Sequence, residues 1–340
     1  MKTYRLFRTV VFALALVIGG VVLRQLNAGS HPAATAASAG AGAPTPRSRE
    51  ELIEAYSVVP RDEIVHDMEL LTELQARYRT QLDALRKQVA LSGARLVVVY
   101  LTPEYDSEAQ QVLEPFLESL SAGMGIEYVN LSPRLRGLDP LAYTQMPRDG
   151  HWSAPGAAIV AEGLGDILLA HAADRSAVAV AAGLRPALFG DLEPAQDVIL
   201  DGGKSLPYRL KTNGQGLRLD HELVFPKTRQ RVLLLGDSQI YCPFLDNPDT
   251  IGAHLQRTFP DREIVSAANL GYGLDDLESL FRERARFIEP DLVIVQTGGG
   301  DVLDGYFSHR NLFSRTRAAF EPTAVEERFY RTFTKPTARQ

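Results

Sequence analysis

Ser238 stands where an apolar segment of the sequence stops. Four consecutive apolar residues, 232–235, indicate a short strand buried on both faces, and Gly236 and Asp237 break it. A serine at the end of such a strand lies at the carboxyl edge of an open α/β sheet, where these folds bind their ligands. Because a serine hydroxyl is a weak nucleophile at neutral pH, chemistry at Ser238 would need a base and a group that orients that base.

His151 is a compact candidate for the base, and it lies well upstream of Ser238. Asp149 precedes it by two residues, and a carboxylate at that spacing can hold one ring nitrogen and select the tautomer. His151 is predicted to lie on a loop before a helix that Ser153 caps and Pro155 enters. A lone loop histidine is ordinarily solvated or bonded locally, so it is the Asp-x-His spacing that favours catalysis here.

The elements before His151 predict a parallel sheet. Apolar residues three or four apart indicate a long amphipathic helix over residues 64–89. A buried strand follows at residues 95–101, then a helix at 108–120 and a second strand at 126–131. Two strands joined through a helix form a βαβ unit, in which the strands run parallel.

The elements after Ser238 repeat this alternation. We predict helices at residues 249–259 and 274–288 and strands at 263–267 and 290–297. Together with the strand before Ser238, the two halves give about five strands separated by helices. The predicted fold class is therefore α/β, a three-layer α/β/α domain with a mainly parallel sheet.

Residues 171–230 differ from both halves in amino-acid composition and in hydrophobic pattern. They are rich in Gly and Pro, and Asn213 with Gly214 is a hairpin signal between alternating apolar and polar residues. We interpret them as a small β-containing insertion, a connector that covers one end of the sheet. The α/β domain as a whole is expected to span residues 51–315, and residues 316–340 form a polar tail without assigned chemistry.

The amino-terminal segment predicts export. Lys2, Arg5 and Arg8 precede an uncharged, mainly apolar run that Arg24 follows, so residues 1–27 are a signal anchor or a signal peptide. We favour an uncleaved anchor in the inner membrane, because Arg24 directly after the run disfavours cleavage. Residues 28–50 are then a flexible linker. The domain is expected at the periplasmic face of the cytoplasmic membrane, or secreted if the leader is cut.

Composition narrows the functional classes. The chain has a formal net charge of −6 and no Lys/Arg stripe, which argues against nucleic acid as a partner. Its one cysteine, Cys242, cannot form an internal disulfide, and we expect a buried thiol. The chain lacks a Cys/His cluster at metal-ligand spacing, so the sequence predicts neither a metal nor a cofactor.

Four segments resemble the sequence blocks of the SGNH (GDSL-type) hydrolase family. Residues 236–238, Gly-Asp-Ser, are similar to the nucleophile block, and residues 149–156 are similar to the block that carries the triad Asp and His. Residues 269–273, Asn-Leu-Gly-Tyr-Gly, are similar to the block whose glycine, here Gly271, helps to form the oxyanion hole. Residues 290–301 are similar to the Gly-x-Asn-Asp block.

Two departures from the family pattern stand out. The Asp/His block comes last in the usual order, whereas here it precedes the serine, an exchange of halves as in a circular permutation. This order on an exported chain is similar to the AlgX/AlgJ-like polysaccharide O-acetyltransferases. The second departure is Gly300, which stands where the family has Asn, so a side-chain donor to the oxyanion is missing unless a backbone N–H of Gly299 or Gly300 replaces it.

The resemblance implies acyl-ester chemistry through a Ser238–His151–Asp149 triad and an acyl-enzyme. It also implies an oxyanion hole from Ser238, Gly271 and Gly300. The substrate would be a carbohydrate or another acyl ester, handled by an O-acetyltransferase or an acetylesterase, with a membrane acyltransferase as a partner. Trp152 could stack on a sugar ring or pack in the core, and Arg148 could bind an anionic sugar or be solvated.

Two further aspartates have expected structural roles, and one alternative function stays open. Asp237 and Asp301 are expected to form hydrogen bonds that shape the ends of their strands. The alternative to an enzyme is a catalytically inactive SGNH-like binding or scaffold protein of a polysaccharide assembly or export system, which the glycine at position 300 favours.

Overall fold

The computed structural model describes residues 65–103, 108–146, 148–173, 177–200 and 206–303. The predicted leader, linker and carboxyl-terminal tail lie outside these residues. Among the helices within them, none combines the length and the apolar character that crossing a bilayer requires.

A five-stranded parallel sheet forms the centre of the domain. Its strands are β1 (Arg95–Tyr100), β2 (Glu127–Asn130), β5 (Gln230–Leu235), β6 (Arg262–Ser266) and β7 (Leu292–Thr297). They lie in the order β2-β1-β7-β5-β6, and every pairing is parallel. β5, β7 and all of β1 except Arg95 are buried, which is why the sequence shows apolar runs instead of alternation. The predicted parallel sheet is confirmed.

Helices cover both faces of this sheet. They are α1 (Met68–Leu91), α2 (Glu108–Gly123), α3 (Pro140–Tyr143), α4 (Ala154–Ala170), α5 (Ser238–Tyr241), α6 (Ile251–Thr258), α7 (Leu274–Glu283) and α8 (Gly299–Leu303). Alternate strand residues enter two separate cores: Leu233 packs with α1, α2 and α7, and Leu234 packs with α4 and α6. The predicted three-layer α/β/α architecture is confirmed.

The boundaries differ from the sequence predictions at one helix in particular. The predicted helix over 274–288 ends at Glu283 and continues as a 3₁₀ turn at Ala285–Ile288. Glu289, which follows, adopts a left-handed conformation that ends the turn before β7. Apolar spacing alone does not separate an α-helix from a short 3₁₀ extension, since both keep the same face toward the core.

The inserted region contains the predicted β structure, but Asn213 and Gly214 do not lie between its strands. Strands β3 (Asp197–Leu200) and β4 (Tyr208–Lys211) pair antiparallel as a two-stranded sheet. Asn213 follows β4 and does not connect the two strands, so the hairpin signal at Asn213 and Gly214 was wrong. The Asn213 Oδ1 accepts from the backbone N–H groups of Gln215 and Leu217, at 3.0 Å each, and builds a local turn instead.

The inserted region contacts the amino ends of the central strands as well. The Ala177 N–H donates to the Asp291 carboxylate at 3.2 Å, and the Val180 N–H donates to Glu289 at 2.7 Å. Both carboxylates lie directly before β7, at the edge opposite Ser238. The insertion is thus attached to the main sheet and does not form a separate unit.

Candidate active site

Ser238 is the first residue of α5, directly after the turn that ends β5. Asp237 caps this short helix, and its Oδ1 accepts the Gln239 N–H at 2.7 Å, which confirms its expected role in the turn. The Ser238 N–H belongs to the first turn of the helix, where N–H groups have no intrahelical acceptor. Ser238, which is partly exposed, therefore lies at the carboxyl edge of the sheet and carries an N–H that no carbonyl of its own helix accepts.

Gln296, a polar residue inside apolar β7, supports the turn that carries Ser238. Its Oε1 accepts the Asp237 N–H at 3.2 Å, and its Nε2 donates to the Leu101 carbonyl at 3.4 Å. A Cβ on Gly236 would lie 2.6 Å from that Oε1 and 2.7 Å from Ile240 Cγ1, so a larger residue at position 236 would displace these side chains. Gln296 was not among the predicted site residues, although a glutamine within an apolar strand, here 3% exposed, is a signal that the sequence contains.

Asp149 holds His151 in the way that its spacing predicts. One carboxylate oxygen, Oδ1, accepts the His151 backbone N–H at 2.8 Å and also contacts the imidazole Nδ1 at hydrogen-bonding distance. The Asp149 side chain is 9% exposed and that of His151 is 26% exposed. With Nδ1 directed to the carboxylate, Nε2 is the nitrogen that remains to exchange a proton.

Trp152 joins the histidine loop to the helix that begins with Ser238. Its indole N–H donates to the main-chain carbonyl of Gln239 at 2.9 Å, across 87 residues of sequence. The ring is 0% exposed and packs against Tyr143 at a centroid distance of 6.2 Å. Of the two roles considered for Trp152, the structure places it in the core, because no face of the ring is open to a sugar.

The histidine loop is also fixed on its other side. Trp152 forms an isolated antiparallel bridge with Thr144, and the Gln145 N–H donates to the His151 carbonyl at 2.8 Å. A Cβ on Gly156 would lie 1.9 Å from the Tyr143 carbonyl oxygen, so the start of α4 packs directly on this segment. The loop that carries His151 is therefore held at both of its ends.

A second contact between the two blocks is aromatic. The His151 imidazole lies edge-to-face with the ring of Phe244, at a centroid distance of 6.1 Å. Phe244 follows α5 by three residues, so the imidazole touches the segment that Ser238 initiates. No sequence pattern indicated this contact.

The two glycines assigned to the oxyanion hole follow the strands on either side of β5. Gly271 lies in the exposed turn after β6 with φ +70°, a left-handed conformation that favours glycine. Gly300 lies in the first turn of α8, after β7. Because β6, β5 and β7 are adjacent and parallel, Ser238, Gly271 and Gly300 lie at the same edge of the sheet.

Two backbone N–H groups of the β7–α8 turn already have acceptors within the protein. Of the two backbone groups considered as replacements for the missing Asn, the Gly299 N–H already donates to Gln110 Oε1, at 3.0 Å. The Asp301 carboxylate accepts the Gly298 N–H at 2.5 Å, the structural role expected for it. Burial raises the pKa values of Tyr78 and Tyr100 well above the ordinary tyrosine range; the Asp301 charge adds to the effect at Tyr78, and the charges of Glu114 and then Asp301 add to it at Tyr100.

The remaining predicted residues lie as follows. Cys242 is 0% exposed, and burial raises the pKa of its thiol to about 11, as expected for an unreactive core cysteine. Arg148 is exposed on the loop before Asp149. Within the part of the chain that the structure describes, no group of three His, Cys, Asp or Glu side chains is arranged to hold a metal ion.

Comparison with known proteins finds similarity only at the level of solved structures. No family model matches the chain, and no curated protein sequence does. The O-acetyltransferase domain of AlgJ from Pseudomonas putida is 13% identical, with a TM-score of 0.46, over 76% of this chain and 90% of that one. AlgX from Pseudomonas aeruginosa is 16% identical, with a TM-score of 0.36, over 66% of this chain but only 57% of its own.

A third similar structure is that of PatB1 from Bacillus cereus with a sulfonyl adduct, at 13% identity and a TM-score of 0.37, over 68% of this chain and 89% of that one. AlgJ and AlgX are thus among the solved structures to which the chain is similar. All three identities are far below 25% and all three TM-scores are below 0.5, so nothing about activity follows from them.

Proposed function

We propose that this protein is an exported serine-dependent acyl-ester enzyme, a carbohydrate O-acetyltransferase or acetylesterase. The proposal rests above all on the hydrogen bond from Trp152 to Gln239, which joins the loop of His151 to the helix of Ser238. The contact between Asp149 and His151 supplies the oriented base that a serine nucleophile requires.

In the proposed reaction the Ser238 hydroxyl oxygen attacks the carbonyl carbon of an ester, as its proton passes to His151 Nε2. Asp149 stabilises the imidazolium that forms. Collapse of the tetrahedral intermediate breaks the bond to the leaving alkoxide, which takes the proton from His151, and an acyl-serine remains. A sugar hydroxyl or water then attacks the acyl-serine while His151 Nε2 takes its proton. His151 returns that proton to the Ser238 oxygen as the acyl bond breaks, and the product is a new ester or a free acid.

The oxyanion of the tetrahedral intermediate would be stabilised by the N–H groups of Ser238, Gly271 and Gly300. Each such donor contributes about 3 kcal/mol to transition-state stabilisation. Gly300 has no side chain, so it offers only its backbone N–H and no counterpart of the Asn side-chain amide of the family pattern. A site with one donor fewer would be slower by about two to three orders of magnitude.

Export, anchoring and the carbohydrate substrate are parts of the same proposal and rest on the sequence alone. The basic residues before the apolar run support placement of the domain on the periplasmic face of the membrane. An anchored transferase could receive acetyl groups from a membrane acyltransferase.

One observation favours the alternative, a catalytically inactive binding or scaffold protein of a polysaccharide assembly or export system. The Gly299 N–H is already bonded to Gln110, and position 300 carries no side chain. The β7–α8 turn therefore offers fewer donors than the family pattern. An inactive protein could keep the fold and bind glycan without acyl transfer.

The deciding experiment is covalent labelling of the whole protein with a serine-directed fluorophosphonate, followed by peptide mapping. We expect one adduct, on Ser238, that is absent in Ser238→Ala and reduced by at least a hundredfold in rate in His151→Ala. Ser266→Ala is the matched control, because Ser266 ends the neighbouring strand β6 at the same edge. Absence of the adduct, or an adduct at another residue, would refute the triad and favour the scaffold.

Transfer and hydrolysis are separated by supplying an acetyl donor, p-nitrophenyl acetate, with and without an oligosaccharide acceptor. A transferase gives acetylated oligosaccharide, and an esterase gives acetate at the same rate in both mixtures. Loss of either product in Ser238→Ala assigns it to this site.

A further inference from the structure

Arg218, which follows β4 in the inserted region, is a buried arginine that binds the segment after Ser238. It is 8% exposed. Its guanidinium donates to the carbonyl of Tyr241 at 2.6 Å and to that of Cys242 at 3.1 Å, and it also donates to the carbonyl of Leu245. Its Nε donates to the side-chain amide oxygen of Asn247 at 2.9 Å. One rigid, planar cation thus fixes four oxygens between residues 241 and 247.

The segment held by Arg218 has an unfavourable backbone conformation. Cys242 has φ +57° and Phe244 has φ +65°, in the left-handed region that residues other than glycine seldom adopt. Such conformations persist only where the surrounding contacts determine them. The bonds from Arg218 to residues 241, 242 and 245 lie on both sides of these residues and, together with the bond from the Cys242 N–H to the Ser238 carbonyl at the end of α5, hold the segment in this conformation.

This conformation directs Phe244 between the inserted region and the candidate base. Its ring lies edge-to-face with His151 at 6.1 Å and with Tyr208 of β4 at 6.0 Å. A phenylalanine with an ordinary negative φ at position 244 would leave the backbone in another direction. The position of this ring against the imidazole therefore depends on the geometry that Arg218 maintains.

We infer that Arg218 is a positioning residue for the candidate catalytic pair: it fixes the strained segment after α5, and that segment holds Phe244 against His151. The inference rests on the proposed function and deepens it, because it assigns the inserted region a part in the site beyond that of a connector. Arg218 itself touches neither the serine hydroxyl nor the imidazole in this scheme. Its effect on acylation passes through α5 and Phe244.

The experiment compares the whole protein with Arg218→Lys and Arg218→Gln, with Arg209→Gln as the matched control. Arg209 lies on β4 as well, but its side chain is 57% exposed and pairs with Asp197 on β3. Lysine keeps the charge but cannot bind four oxygens in one plane. We expect the rate constant for labelling of Ser238 by the fluorophosphonate, in which the serine oxygen displaces fluoride from phosphorus, to fall ten- to a hundredfold in both Arg218 variants. The reversible binding of the reagent should change less than threefold. Arg209→Gln should match the wild type.

A second readout does not depend on activity. The ring current of Phe244 should shift the NMR signals of the His151 ring protons. These signals are identified as the ones that are missing from the spectrum of His151→Gln. The shift should disappear in Phe244→Leu and also in Arg218→Lys, although both proteins remain folded by circular dichroism. If Arg218→Gln does not fold, the His151 shifts in Arg218→Lys and Phe244→Leu still test whether Arg218 holds Phe244 against His151.

The outcomes separate the two proposals. Unchanged acylation and an unchanged His151 shift in Arg218→Lys would overturn the inference and leave the triad intact. Absence of any Ser238 adduct in the wild type would refute the proposed function. The His151 shift would then still decide whether Arg218 sets the position of Phe244.

Discussion

Replacing Trp152 with phenylalanine tests the contact on which the candidate site depends. The substitution keeps an aromatic ring in the core but removes the N–H that donates to the Gln239 carbonyl at 2.9 Å. Because Trp152 is 0% exposed, water does not readily replace this donor. The substitution therefore separates the hydrogen bond from most of the packing.

The expected loss of stability follows from two contributions. Loss of the N–H donor leaves the partly buried Gln239 carbonyl with only the weak Cys242 thiol as a donor, at 3.6 Å, and costs about 1 to 3 kcal/mol. The smaller ring leaves a void of roughly 40 Å³, which costs about 1 kcal/mol at about 24 cal/mol per Å³. The free energy of unfolding should thus fall by about 2 to 4 kcal/mol, and a domain of ordinary stability would remain folded in buffer.

The effect on acylation should exceed what stability alone explains. Release of the histidine loop by about 1 Å would lower the fluorophosphonate rate about a hundredfold. Leu164→Ala is the matched control, since Leu164 is buried in the same core but on α4, away from Gln239, and its loss costs about 2 to 5 kcal/mol. Urea unfolding followed by circular dichroism gives the stabilities, and the labelling rate is measured on the folded proteins.

A Trp152→Phe variant that loses stability but is labelled at the wild-type rate would contradict a role of this hydrogen bond in the reaction. The indole would then only fill space, and the link between the two sequence blocks would have no role in the reaction. An equal drop in rate for Leu164→Ala would also contradict it, because a general loosening of this core would then explain both variants.

Three further outcomes are expected. Gln296→Leu should lose about 1 to 3 kcal/mol in urea unfolding and label more slowly, because the Asp237 N–H loses its acceptor; a wild-type labelling rate would dismiss this support role. Gly156→Ala should destabilise the protein by about 3 kcal/mol or more, since its Cβ would meet the Tyr143 carbonyl, and an unchanged urea midpoint would contradict that close approach. Burial raises the pKa of the Cys242 thiol from 9.0 to about 11. Between these two pH values the unfolded chain loses the thiol proton and the folded protein keeps it, so the free energy of unfolding should fall with rising pH. The fall should amount to roughly 2 to 3 kcal/mol between pH 9 and pH 11. The stability difference between wild type and Cys242→Ala should shrink across that interval, and rapid reaction of the native thiol with Ellman's reagent at pH 8 would argue against its burial.

The sheet could be predicted because each strand and helix leaves a hydrophobic pattern within its own short stretch of sequence. Strands buried on both faces leave apolar runs such as residues 232–235, and the helices between them leave a period near 3.6. The alternation of the two dictates parallel pairing. The Asp149–His151 contact was predictable for the same reason, since both residues lie within one short loop.

The supporting contacts of the site could not be predicted, because each joins residues far apart in the chain. Gln296 reaches Asp237 across 59 positions, and Gln110 reaches Gly299 across 189. Trp152 had two roles open to it in the sequence, and only the fold decides between them. The misplaced turn at Asn213 has a different cause: an asparagine side chain that bonds to its own local backbone gives the same signal as a hairpin loop.

The position of β7 has a consequence for biosynthesis. The last strand of the sheet to leave the ribosome occupies its centre, between β1 and β5, which do not pair with each other. Without residues 292–297, the two strand pairs, β1 with β2 and β5 with β6, have no strand between them. Asp149 and His151 follow the first pair and Ser238 follows β5, so a chain cut before residue 292 should leave the proposed triad unassembled and give no fluorophosphonate adduct.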